Sequence, residues 1–72
     1  MKVFQTSDLA LAAYMITKGL KLIKAERLPT GRYHFEIEDP EDKAEVLKLE
    51  FINSEFKTFD NNLKMLKKMM YS

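Results

Sequence analysis

The 72-residue chain contains no cysteine and only one histidine, His34. Without cysteine it can form neither a disulfide framework nor a thiolate metal site, and one imidazole leaves only carboxylates as further metal ligands. The acidic residues Asp39, Glu41 and Asp42 lack the spacing of a calcium-binding loop. We therefore expect no bound metal and no cofactor. The absence of cysteine does not indicate whether the protein resides in an oxidising or a reducing compartment.

Glycine is almost as scarce, since only Gly19 and Gly31 occur. Two isolated glycines cannot form a phosphate-binding loop or a dinucleotide fingerprint, because both motifs need several closely spaced glycines. His34 is expected on the exposed face of a strand beside Glu36, where nothing else completes a catalytic constellation. The sequence therefore predicts no enzymatic activity and no small-molecule substrate.

Long apolar runs are also missing. The longest, residues 9–16, has eight residues, whereas a membrane span needs roughly 18 or more. We expect a cytoplasmic protein with no membrane contact. Hydrophobic residues make up 46% and charged residues 32% of the chain, which indicates one folded domain. A domain this small buries only roughly 60% of its accessible surface, so a partner or a homodimer would help to stabilise it.

The clearest pattern predicts a β-hairpin over residues 20–38. Tyr33, Phe35 and Ile37 alternate with polar residues, the two-residue period of a half-buried strand. Gly31 is suited to the turn. The apolar residues of the first arm change faces, so we expect a bulge or a late strand start there. A lone hairpin is only marginally stable, so helices must cover it.

Three helices are expected around this hairpin. Ser7 and Gly19 suit the two ends of the first, and Asp39 followed by Pro40 suits the start of the second. The expected helices cover residues 8–18, 40–52 and 55–70. Residues 46–52 also fit a strand, although the cap favours helix, and residues 1–6 fit either a short strand or a loose arm. The predicted fold class is α+β, in the order α-β-β-α-α.

The third helix carries an apolar seam with the spacing 3, 4, 3, 4. Its members are Phe56, Phe59, Leu63, Leu66 and Met70. Such a seam packs against another helix or a core, and we expect it to dock on the first helix and the hairpin. The first helix is apolar nearly all round, so it is either a central core helix or one side of a protein interface. The candidate interface residues are Leu11, Tyr14, Met15, Met65 and Met69.

Charge is segregated along the chain although the net charge is only +1. Residues 1–34 carry +4, residues 35–55 carry −6 and residues 56–72 carry +3. If the hairpin and the third helix lie side by side, their cations form a strip that could contact nucleic acid. These cations are Lys21, Lys24, Arg27, Arg32, Lys57, Lys64 and Lys68. Lysines on a solvated helix face are common, so the same pattern also fits an ordinary surface.

Four segments of the chain together resemble a known family. They are TSDLALAAYMITKG, HFEIEDP, EFINSE and LKMLKKMMY, and the similarity extends over nearly the whole chain. The family consists of short bacterial and phage proteins classed as a domain of unknown function, so it supplies no catalytic residues to carry over. It implies a phage or mobile-element setting, where small proteins often serve DNA transactions or disable host systems by binding.

Two functions remain from these observations. The first is a small non-enzymatic accessory or regulatory module that binds a protein partner or itself through an apolar patch rimmed by charge. The alternative is a nucleic-acid-binding accessory that uses the basic strip. Salt separates them, because phosphate contacts release counterions and weaken steeply with salt, whereas an apolar interface is nearly indifferent.

Overall fold

The structure, a computed structural model, describes residues 2–71. Three antiparallel strands and three helices form one small domain, which confirms the α+β class. In chain order the elements are β1 (Val3–Thr6), α1 (Leu9–Thr17), β2 (Lys21–Arg27), β3 (Tyr33–Glu38), α2 (Ala44–Ile52) and α3 (Glu55–Tyr71). The expected order therefore lacked one element, the strand at the N-terminal end.

The N-terminal segment, for which a strand or an arm was expected, is strand β1. It pairs antiparallel with β3, where Val3 lies opposite Glu38 and Thr6 lies opposite Phe35. The sheet order is β1-β3-β2. The strand with the clearest alternation, β3, is thus the central one, and its alternate residues Phe35 and Ile37 are buried on one face.

The hairpin of β2 and β3 has the predicted irregularity. Its register shifts between Leu22 and Lys24, which leaves Ile23 as a bulge. Gly31 has φ +87° and donates its N–H to the carbonyl of Leu28 at 2.9 Å, which closes the turn. All seven residues of β2 are exposed, so this strand is an open edge of the sheet.

Helix α1 begins one residue later than expected, because Asp8 rather than Ser7 is its N-cap. Oδ1 of Asp8 accepts a hydrogen bond from the N–H of Leu11 at 3.1 Å. The hydroxyl of Thr6 accepts the N–H of Asp8 and so fixes the entry to the helix. At the other end Gly19 adopts φ +102° and donates to the carbonyl of Ile16, as a left-handed C-terminal residue does.

Helix α2 begins at Ala44, four residues later than predicted. Asp42 has φ 57°, a left-handed conformation that interrupts any helix running from Pro40. Asp39 still caps the helix, but across this turn. Its Oδ1 accepts the N–H of Lys43 at 2.7 Å, and its Oδ2 accepts the N–H of Ala44 at 3.0 Å. Residues 46–52 are helical, which decides against the strand alternative.

The core lies between one face of the sheet and the inner sides of α1 and α2. Phe35 and Ile37 supply the sheet face, and α2 contributes Ala44 and Phe51 with Leu47 half-buried at the edge. The eight buried apolar residues are Leu11, Ala12, Tyr14, Met15, Phe35, Ile37, Ala44 and Phe51. The opposite face of the sheet has no helix packed on it in the described chain, and the domain measures 43 × 31 × 15 Å.

Helix α3 does not dock as expected. Among the residues that the structure describes, none in α3 is buried. The five seam residues are between 40% and 79% exposed. The prediction that this seam docks on α1 and the hairpin holds for Phe56, whose ring centroid lies 5.6 Å from that of Tyr14 in α1. The rest of the seam lies outside the core, which α1, α2 and the sheet form without it.

Candidate protein-binding surface

An open groove of about 700 Å³ separates α1 from α3. Its walls are mainly apolar, with Leu9 and Ala13 on α1 facing Phe59 and Leu63 on α3. Ala10 and Ala13 contribute short side chains to the α1 wall, so they fill little of the space between the two helices. Without side chains to fill it, this space stays accessible from outside.

Tyr14 forms the inner end of the groove and joins all three helices. Its ring centroid lies 5.4 Å from that of Phe51 in α2 and 5.6 Å from that of Phe56 in α3. The hydroxyl donates to Oε2 of Glu50 at 3.2 Å, which satisfies the polar end of a side chain in a residue that is 8% exposed. Lys18 places its ammonium 5.5 Å from the ring centroid. This cluster anchors the first turn of α3.

A pair of opposite charges lies on the rim of the groove. Nζ of Lys64 is 3.0 Å from Oδ2 of Asp60, one helical turn earlier, and the Asp60 side chain is only 14% exposed. This contact with the Asp60 carboxylate raises the pKa of Lys64 above its ordinary value, and the charge of Asp8 at the start of α1 adds to the effect. Because Lys64 is 63% exposed and water screens its charge, we regard the pair as a local constraint rather than a source of stability.

These contacts also give the direction of α3. Phe56, at its start, meets Tyr14 near the end of α1, while Lys64 lies within electrostatic reach of Asp8 at the beginning of α1. The two helices are therefore antiparallel. At 1.5 Å per residue α1 is about 14 Å long and α3 about 26 Å. The last two turns of α3 thus extend past the start of α1.

The projecting end of α3 carries large apolar side chains into solvent. Leu66 is 54% exposed, Met70 is 79% exposed and Tyr71 is 85% exposed. Leu66 and Met70 continue the line that begins with Phe59 and Leu63 in the groove wall, whereas Tyr71 lies about 100° from Met70 around the helix. We call the five residues Phe56, Phe59, Leu63, Leu66 and Met70 the α3 seam. Groove and seam together make one continuous apolar surface on the helical side of the domain.

The predicted interface residues fall into three groups. Leu11 and Met15 are 4% and 0% exposed and belong to the core, so that prediction is corrected for them. Tyr14 lines the groove, and Met65 and Met69 are 53% and 67% exposed on α3. The surface residues that were missed, such as Phe59 and Leu66, did stand out in the sequence through their spacing, but they were assigned to the core.

The predicted basic strip is divided between the two sides of the domain. Lys21 lies opposite Glu38 and Lys24 opposite Glu36 on the sheet face that points away from the helices. Nζ of Lys24 is also 3.8 Å from Glu26. This face is therefore of mixed charge. The seven cations do not form one strip, and the nucleic-acid hypothesis loses the geometry on which it was based.

The remaining cations of that set have separate surroundings. Arg27 lies opposite Tyr33, on the face of the sheet that points toward the helices. Arg32 is exposed beside the turn. On α3, Nζ of Lys57 lies 5.8 Å from the ring centroid of Phe51, and Lys64 is paired with Asp60 as described. Lys68 is exposed on the projecting end.

Other kinds of site find little support in residues 2–71. There, His, Asp and Glu side chains form no group of three or more that could hold a metal ion. None of the helices in this range is long and apolar enough to cross a membrane. Nε2 of His34 lies 3.1 Å from Oε2 of Glu36, the expected neighbour on the same strand.

The family is shown by comparison with known proteins. Residues 1–72 match the family model described as a domain of unknown function, DUF5659. No curated protein and no solved structure matches the chain. The match extends over the whole sequence and agrees with the resemblance seen in its four segments. The chain belongs to the DUF5659 family.

Proposed function

We propose that this protein is a small non-enzymatic binding module that acts by docking an apolar protein surface on its groove and α3 seam. The observation that carries the proposal is a helix with a regular apolar seam and no buried residue among those described. Fully burying a Leu, Phe or Met side chain is worth about 1.5–3 kcal/mol. Five half-exposed side chains in one line therefore make a favourable docking surface.

The shape of this surface favours a protein over a small ligand. Small molecules bind in pockets that enclose most of their surface, whereas this groove is open and continues along a helix of about 26 Å. An apolar helical face fits such a surface, as in other helix-in-groove complexes. In the mobile-element setting that the resemblance implies, a module of this kind would regulate or disable a protein by occupying its surface.

Site-specific photo-crosslinking in cells tests the proposal. A photoreactive residue at Leu66 or Phe59 should give a covalent adduct with another protein or with a second copy. The matched control is Asn61, which is exposed on the opposite side of α3 and should give no discrete adduct. Adducts of equal yield from all three positions, or none from Leu66 and Phe59, would overturn the proposal.

A further inference from the structure

The seam of α3 has the geometry of a helix-pairing surface. With 100° between successive residues its five members fall within an arc of about 80°, the width of a coiled-coil seam. Helix α1 is in ring contact with the beginning of this seam, where Tyr14 meets Phe56, and borders Phe59 and Leu63 across the open groove. Leu66 and Met70 lie beyond the start of α1 and are more than half exposed. What the seam requires is a second long helix alongside α3.

The area left exposed is that of a dimer interface. The chain exposes 5651 Å², whereas a compact monomer of 8.5 kDa exposes roughly 4,700 Å². The excess is about 1,000 Å², and a standard protein interface buries about 800 Å² on each partner. One protomer therefore carries as much surplus surface as it would lose by pairing with a copy of itself.

The charges of α3 favour an antiparallel pair. The second half of the helix carries Lys64, Lys67 and Lys68 and no acid, whereas the first half contains two acids, Glu55 and Asp60, against one lysine, Lys57. Parallel helices would bring the two lysine-rich ends together. Antiparallel helices instead place each lysine-rich end beside the acidic residues of the other copy, and they also oppose the two helix dipoles. The helix is thus complementary to itself in one orientation.

We propose that the occupant of the surface is a second copy of the chain, paired antiparallel through α3 about a twofold axis at Leu63. Phe56 then faces Met70 of the second copy, which reaches the mouth of the groove, and Phe59 lies within one residue, about 1.5 Å along the axis, of facing Leu66. Such an interface uses the same patch on both protomers and closes after two copies. This inference depends on the proposed function, because it names the partner of the same surface.

Sedimentation equilibrium of the full chain is the first test. The wild-type protein should sediment as a dimer of twice 8.5 kDa, and Leu66→Glu should weaken the dimer by at least about 100-fold, because it buries an unpaired charge in the interface. Leu66 is 54% exposed in the protomer, so this variant should keep its folded circular dichroism spectrum. The matched control Asn61→Glu adds the same charge to the opposite face and should remain dimeric.

Engineered cysteines test the orientation, and the absence of native cysteine makes the result unambiguous. Phe59→Cys and Leu66→Cys should each fail to form a disulfide dimer alone and should form one when mixed. The reason is that a disulfide needs Cα atoms within about 7 Å, and position 59 of one copy lies beside position 66 of the other rather than beside its own equivalent. Disulfide formation by Leu66→Cys alone would show parallel helices and overturn the inference.

The two proposals fail in different ways. A wild-type chain that stays monomeric up to about 100 μM, where a useful homodimer would already be assembled, would overturn the self-pairing. If Leu66 nevertheless gives an adduct with another protein, the binding module stands and only its partner has been misassigned. Monomeric behaviour without any adduct would overturn both.

Discussion

The largest effect of a single polar residue on stability is expected at Asp39. This carboxylate is 3% exposed and accepts two backbone hydrogen bonds at the start of α2, from Lys43 and Ala44. A hydrogen bond to a charged group contributes about 1.5–3 kcal/mol, and removing an N-cap costs about 0.5–2 kcal/mol. Because both bonds belong to one cap, their effects overlap, and Asp39→Ala should lower the free energy of unfolding by about 2–4 kcal/mol.

This loss is large compared with what a chain of this size possesses. At about 0.05–0.15 kcal/mol per residue, 72 residues give a total of roughly 4–11 kcal/mol. The midpoint of thermal unfolding should therefore fall by on the order of 10–30 °C. Asp39→Asn keeps one acceptor oxygen, so it should lose about half as much. Urea unfolding monitored by circular dichroism measures all three proteins at one protomer concentration, since dimerisation would otherwise add to the apparent stability.

Glu41 provides the matched control because it is an exposed acid in the same turn, paired only with Lys43 at 3.5 Å. Glu41→Ala should change the free energy of unfolding by less than about 0.5 kcal/mol. Equal losses for Asp39→Ala and Glu41→Ala would refute the reasoning. They would show that general negative charge, rather than the two hydrogen bonds, supports the start of α2.

Two further predictions concern the core and the divided cations. Phe51→Ala should cost about 3–5 kcal/mol in urea unfolding, because Phe51 is 2% exposed and packs on Tyr14; a cost below about 1 kcal/mol would contradict the assigned core. In fluorescence anisotropy with labelled DNA or RNA, any binding should be weak and salt-sensitive, and the charge reversals Lys24→Glu and Lys64→Glu should each have only a small effect. Tight binding that both reversals abolish would restore a shared basic surface.

Local sequence pattern predicts those parts of the fold in which the residues fit only one type of structure. The alternation of Tyr33, Phe35 and Ile37 predicts β3 because it permits only one face to be buried. Gly31 predicts the turn because glycine readily adopts a positive φ, which the structure shows at this residue. Strand β1 was undecided for the opposite reason. Its four residues contain two apolar side chains, and its hydrogen bonds come from a strand some 30 residues away, which local pattern cannot register.

Helix starts were predicted less exactly because capping residues occur in neighbouring positions. Ser7 and Asp8 are both good caps, and the hydrogen bond that the backbone N–H of Asp8 donates to the hydroxyl oxygen of Thr6 decides between them. Asp39 was correctly identified as a cap, yet its helix begins at Ala44. The left-handed Asp42 prevents an earlier start, so Asp39 accepts the backbone N–H of Ala44 instead of one closer in sequence. In each case the residue type was informative, and the tertiary path of the chain set the position.

The α3 seam shows what amphipathic periodicity does and does not determine. Spacing of 3, 4, 3, 4 indicates that a helix face will be buried, but it contains no information about which molecule covers that face. The lengths of the two helices limit how much of that face α1 can cover. The predicted helices of residues 8–18 and 55–70 already differ by five residues, about 8 Å, so α1 alone could never have covered the whole seam. The structure widens this mismatch to nine residues against 17. The uncovered half of α3, with Leu66 and Met70, is accordingly the part of the chain on which the proposed binding function depends.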